Sequence, residues 1–154
     1  MSRRSAREDA FKIIYGKLVT GEAGATEEEL FQQHTEEEIQ YILNVVDAVD
    51  GDFAFLRAAV ERFSKGFAFD RIYKVDCAII LLAAAEILFT DVPDKAAVNE
   101  AVEIAKIYST DRSAAFINGV LASFMANKEE LLAERETFGK DENDGGDESN
   151  GEDN

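Results

Sequence analysis

The chain has 154 residues, long enough for one domain with a substantial core, and 46% of them are hydrophobic. Its formal net charge of −16 disfavours long-range steering of nucleic acid, and its single cysteine, Cys77, excludes an intrachain disulfide and fits a reducing cytoplasm. The longest apolar run, CAIILLAAA, is closed by Glu86; it falls well short of the roughly twenty residues that span a bilayer, and no apolar signal core opens the chain, so a soluble protein is expected.

The first helix is expected from a cap at Ser2 or Ser5, with Ala6, Ala10, Ile13, Ile14, Lys17 and Leu18 at helical spacing, to an end near TGEAG. A second begins at Thr26, where TEEELF places a glutamate three residues after a capping threonine. TEEEIQYILNVV repeats the device at Thr35, and Ile39, Ile42, Leu43, Val46 and Val49 form one apolar face. Asp52 starts a helix carrying Phe55, Leu56, Ala59, Val60 and Phe63, which stops near Gly66. YKVDCAIILLAAAEILF is apolar on nearly every side, and such a helix belongs at the centre of a bundle. TDVPD breaks it. Asp94 can cap KAAVNEAVEIAKIY, and Asp111 can cap one long helix, RSAAFINGVLASFMANKEELLAE, in which Gly119 permits a close approach of two helices. The sum is an all-α fold of about seven helices without a convincing strand. Residues 1–138 form the domain; residues 139–154, GKDENDGGDESNGEDN, contain no large apolar side chain and are expected to be a disordered acidic tail.

Neither a phosphate loop nor a glycine-rich dinucleotide turn is present, and His34, the only histidine, excludes a histidine-based metal cluster. His34 reads as a surface residue near a helix junction, because no nucleophile pattern accompanies it. Glu27–Glu29 and Glu36–Glu38 read as solvated first turns that favour the helix dipole. Glu100 and Glu103, one turn apart, are spaced to share a metal or a proton, but without further ligands they read as a surface face or a buried structural hydrogen bond. No catalytic residue, cofactor or metal is expected, and the chain is not read as an enzyme.

Charge is segregated. The first 25 residues hold five basic and three acidic side chains, and the last 16 hold one and seven. Arg3, Arg4 and Arg7 stand at a helix start, where cations oppose the dipole. A phosphate-bearing ligand relieves that opposition; a merely solvated helix start is the alternative.

The stretch VDCAIILLAAAEILFTDVPDKAAVNEAVEIAKIYSTDRSAAFINGVL, Val75 to Leu121, closely resembles the NusB family of bacterial transcription antitermination factors. Glu86, DVP, VNEAVEIAK and DRSAAFINGVL carry the likeness, joined by RRSARE and IIY at the N-terminus; Gly24 to Phe69 matches in pattern and length alone. The resemblance covers roughly Ser2 to Met125. It implies two helical subdomains at an angle, and a protein that pairs with NusE, a small-subunit ribosomal protein. The pair binds boxA-type single-stranded RNA of nascent ribosomal transcripts within an RNA polymerase antitermination complex.

By the same resemblance Arg3, Arg4 and Arg7 match an RNA-contacting arginine-rich start, and Lys95, placed in a loop after Pro93, matches a lysine near the RNA. Arg112, Ser113 and Phe116 match a segment along the RNA path. Phe116 is either a stacking platform for an unpaired base or a core residue. Tyr15, Asp70 and Asp76 match positions that meet NusE, and Asn99, Glu100, Asn118 and Gly119 read as structural. An acidic body then suits a basic protein partner and a basic start suits RNA. The chain departs from the family where Cys77, Leu81 and Ala115 stand in place of basic residues. Fewer cations imply weaker RNA binding, so a protein-interaction module that has lost most RNA binding is the alternative. The acidic tail has no counterpart in the family pattern; it either solubilises the protein or competes with RNA for the arginines. The same fold also opens some rRNA cytosine methyltransferases, but no methyltransferase segment follows here.

Overall fold

The computed structural model describes residues 3–21, 29 and 32–138, apart from the side chain of Arg3. The helix expected from Thr26 falls largely outside these residues, and the acidic tail wholly so. The described helices are α1 (Arg3–Thr20), α2 (Glu36–Gly51), α3 (Phe53–Phe63), α4 (Lys74–Phe89), α5 (Asp94–Tyr108), α6 (Asp111–Ala126) and α7 (128–138), with a short 3-10 turn at Phe69–Arg71. No strand occurs among the described residues.

Local chemistry sets the helix starts. At α2 the Thr35 hydroxyl accepts from the Glu38 amide at 3.2 Å, and the Glu38 carboxylate accepts from the Thr35 amide at 3.0 Å. The expected capping box therefore forms. At α6 the cap is Thr110 rather than Asp111: the Thr110 hydroxyl accepts from the Ser113 amide at 3.0 Å, and Asp111 enters the first turn. Asp94 likewise lies inside the first turn of α5, where it accepts from Lys128 at 3.1 Å. Asp52 does not cap α3 with its side chain, which instead takes Arg135 of α7 in a two-pronged pair at 2.9 and 3.1 Å.

The expected long C-terminal helix is two helices. The chain turns at Asn127, whose side-chain amide donates to the Ser123 carbonyl at 2.9 Å and whose own carbonyl accepts from Leu131. An asparagine that bonds its own local backbone competes with helix continuation. The break lets α7 fold onto α3, through Phe55 against Phe138 at 5.7 Å and Arg62 against Glu134 at 3.2 Å. Leu131 is buried there, a contribution of about 1.5–3 kcal/mol.

From Asp76 to Leu88 every residue of α4 is buried, as its unbroken apolar sequence requires. It contacts α1, α2, α3, α5 and α6. The two helical groupings share it: α1 and α2 pack on α4 and on each other, and so do α5 and α6. Thr90 ends α4 by donating to the Glu86 carbonyl at 2.7 Å while accepting from the Val92 amide at 3.1 Å, and Pro93 then opens α5.

Gly119 is solvent-exposed, and a Cβ at this position meets nothing within 4 Å. The close helix approach expected there is absent. The chain does need left-handed backbone after α3, where Lys65 and Gly66 have φ of 54° and 101°. Gly66 makes that turn without the steric cost of a Cβ.

Candidate nucleic-acid interface

The three N-terminal arginines do not share one environment. Arg3 contributes backbone to α1. Arg4 grips Glu100 of α5 with two parallel bonds, Nε to Oε1 at 3.0 Å and Nη2 to Oε2 at 2.9 Å, and stays half exposed. This bond holds the Glu100 carboxyl below, and the Arg4 guanidinium above, its ordinary range. The Glu100 bond to Arg4 is solvent-exposed rather than the buried one weighed from sequence, and Glu103 instead accepts from Lys106 at 3.3 Å. Arg7 is 8% exposed; its Nε reaches the two oxygens of Glu86 at 3.2 and 3.0 Å, and its guanidinium lies 5.7 Å from the Tyr41 ring centre. Tyr41 Oη also donates to Glu86, at 2.9 Å. A charge inside a core needs such a counter-charge and bonded shell.

His34 is half-buried with its side chain almost enclosed, contrary to the surface reading. Its ring nitrogens face Glu38 Oε1 at 3.2 Å and Asp9 Oδ2 of α1, and its side chain is 2% exposed. Carboxylates only accept, so bonds from both nitrogens require the imidazolium. Desolvation opposes that charge most strongly, but the bonds to Asp9 and Glu38 together outweigh it, and the His34 pKa is raised. Glu38 is held low, first by the Thr35 amide, against desolvation and with help from His34.

Lys95 lies within the first turn of α5 rather than in a loop, and it is exposed. Arg112, in the first turn of α6, is exposed; Ser113 is buried and Phe116 half-buried against the core. Phe116 therefore serves the core with part of its surface and leaves part accessible. Arg112, Ser113 and Phe116 line one pocket of about 400 Å³ with Phe67, Arg71, Ile72, Tyr73 and Asp76.

Asp76 joins the residues expected for RNA to those expected for a protein partner. It is 3% exposed, and its two oxygens accept from the hydroxyls of Ser109 and Ser113, each at 2.8 Å. Tyr15 is linked to the same corner: its ring lies 6.2 Å from Phe11, which packs at 5.1 Å on Tyr108, the residue before Ser109. Asp70 stands apart, exposed on the 3-10 turn and 3.4 Å from Arg57. Of the positions where basic residues were expected, Cys77 and Leu81 are buried and Ala115 is exposed.

Sequence reasoning passed over Phe67, Arg71 and Tyr73. The signal was present in GFAFDRIY, which sets three aromatic residues and one arginine on alternate positions between a helix stop and the next helix.

Residues 4–126 match the model of the NusB family. A protein of Natranaerobius thermophilus named transcription antitermination protein NusB is 39% identical over 130 residues, which cover 79% of this chain and 92% of that protein. Among solved structures, NusB of T. maritima superposes with a TM-score of 0.72 at 22% identity, covering 86% of this chain and 98% of its own. A chain from the crystal structure of antitermination factors NusB and NusE in complex with dsRNA gives a TM-score of 0.68 at 22% identity, covering 80% and 96%.

Proposed function

Because the chain belongs to the NusB family, we propose that it is a transcription antitermination factor of the bacterial cytoplasm. In this reading it pairs with a NusE-type small-subunit ribosomal protein and binds boxA-type single-stranded RNA of nascent rRNA transcripts. The pair then joins an RNA polymerase antitermination complex and promotes processive rRNA transcription. The observation that carries the reading is the family match over residues 4–126, together with a named antitermination relative at 39% identity over most of both chains. No described helix is long and apolar enough to cross a membrane.

The geometry supports an adaptor rather than a catalyst. Lys95 and Arg112 are exposed cations available to phosphates, and the exposed Arg4 reaches them only in competition with Glu100; each stands at or near a helix start. Arg7 acts as a positioning residue, because its guanidinium is spent on Glu86 and fixes α1 to α4. Asp76 likewise positions the corner between α5 and α6; Tyr15 and the exposed Tyr108 beside it present the partner face, and Asp70 offers a separate exposed carboxylate on the 3-10 turn. Binding of a boxA-containing RNA that tightens with NusE and weakens on Arg4→Ala or Arg112→Ala supports the reading.

One observation favours a second reading, in which the protein partner is kept and most RNA binding is lost. Arg4 and Arg7 both already face carboxylates, so phosphates must compete with Glu100 and Glu86. NusE binding without RNA recruitment at low salt selects this alternative.

A further inference from the structure

Of the arginines whose side chains are described, Arg4, Arg7, Arg57, Arg62 and Arg135 each meet a carboxylate. Arg71 and Arg112 meet none among the described residues. In a chain with 32 acidic and 16 basic side chains, unpaired arginines are the exception, and both line the same pocket. Its one acidic wall residue, Asp76, turns each oxygen to a hydroxyl, of Ser109 and of Ser113. Two guanidinium groups against one carboxylate leave the pocket wall net positive.

The same pocket collects exposed aromatic surface. Tyr73 is 72% exposed and Phe67 55%, although burial of such rings is strongly favourable. The Phe67 ring stands edge-on to Phe116, 6.4 Å between centres and 83° between planes. The two faces thus form an L-shaped corner rather than a closed stack. The volume of about 400 Å³ lies within the range of small-ligand sites.

We propose that Phe67, Tyr73 and Phe116 capture one unstacked base of a single-stranded RNA, while Arg71 and Arg112 hold the phosphates on either side of it. The inference rests on the RNA-binding reading and deepens it, by placing a base-reading pocket away from the N-terminal arginines. A flat ring and a flanking anion are the chemistry that open aromatic faces and unpaired guanidinium groups complement together. An acidic protein segment satisfies the arginines but not the aromatic corner.

The test uses the full chain with its NusE-type partner and a boxA-containing RNA in which nucleotides are made abasic one at a time. One abasic position should weaken binding to the native protein by about 5- to 150-fold, the factor that losing one base–aromatic stack entails. Tyr73→Ala or Phe67→Ala should bring about the same loss on intact RNA and abolish the further effect of that abasic position. Arg71→Gln and Arg112→Gln should each reduce the salt slope of log K by about one, which the aromatic variants leave unchanged. Both rings are exposed enough for substitution to spare the core, and unaltered helical circular dichroism of each variant verifies this. If RNA binds but no abasic position responds to the aromatic variants, the pocket is wrong and the family reading stands. If the variants impair the NusE-type partner alone, the pocket is a protein contact and the proposal is overturned. If no RNA binds with or without that partner, both readings fall.

Discussion

Arg7 of α1 and Glu86 of α4 meet inside the core at 3.0 Å, with side chains 9% and 1% exposed. Each is the other's compensation for lost water, and Tyr41 completes the shell. Removing one partner leaves an unpaired buried charge. Glu86→Ala should therefore cost about 3–5 kcal/mol, a large part of the total stability of an ordinary domain. Arg7→Met with Glu86→Leu should cost far less than the sum of the single changes, because nothing charged remains to be stranded. Chemical denaturation of the four proteins checks this, and additive losses would contradict the pairing.

The imidazolium of His34 clamps α1 to the start of α2. Its pKa is raised in the folded protein, so the sign is fixed. Its contribution is complete below the unfolded value near 6.5 and is lost as pH rises through the higher folded value. Stability of the native protein relative to His34→Gln should fall as pH rises from about 6.5 through the raised folded value. Glu38, held low, acts oppositely: its contribution disappears only as pH falls through its depressed folded value. A stability difference independent of pH across this window would mean that His34 carries no extra proton.

Gly119 is exposed in the body of α6 and meets no neighbour that a methyl group would disturb. Gly119→Ala should stabilise the protein by up to about 1 kcal/mol, a melting-temperature rise of roughly 2–4 °C. A destabilised variant would show that the glycine makes a contact absent from this fold.

Cys77 is buried in α4, and desolvation pushes its thiol up to about 12. The thiolate is the reactive form. Iodoacetamide at pH 8 should leave the native protein unmodified over a time that fully labels it in denaturant. Equal rates would place the thiol at the surface.

Elements written in local pattern were legible in the sequence. The Thr35 capping box, the Ile39–Ile42–Val46–Val49 face of α2 and the all-round apolarity of α4 are each contained in a dozen or so residues, and the structure has them. The expected cap at Asp111 shifted by one residue because Thr110 and Asp111 are both good caps, and the sequence does not say which adopts the extended backbone. Asn127 escaped because one polar residue inside a helical pattern ordinarily points to solvent. The ion pairs that tie α1 to the rest were hidden by distance along the chain: Glu86 is 79 residues from Arg7, and Asp9 is 25 from His34. A signal did exist for Arg7, which lies at helical spacing with the buried Ala10, Phe11 and Ile14, while Glu86 sits in the middle of a helix whose neighbours on both sides are apolar. The pocket was half legible, since Arg112, Ser113 and Phe116 share one turn of sequence, whereas Phe67, Arg71 and Tyr73 reach it only through the fold.

The measurement that tests the central claim most directly is titration of a boxA-containing RNA with the protein, alone and with its NusE-type partner, across a salt series. The account predicts binding that tightens with the partner, weakens steeply with salt and loses about one unit of salt slope on Arg112→Gln. RNA binding that ignores salt, the partner and Arg112 alike, or a partner complex that never recruits RNA, would contradict it.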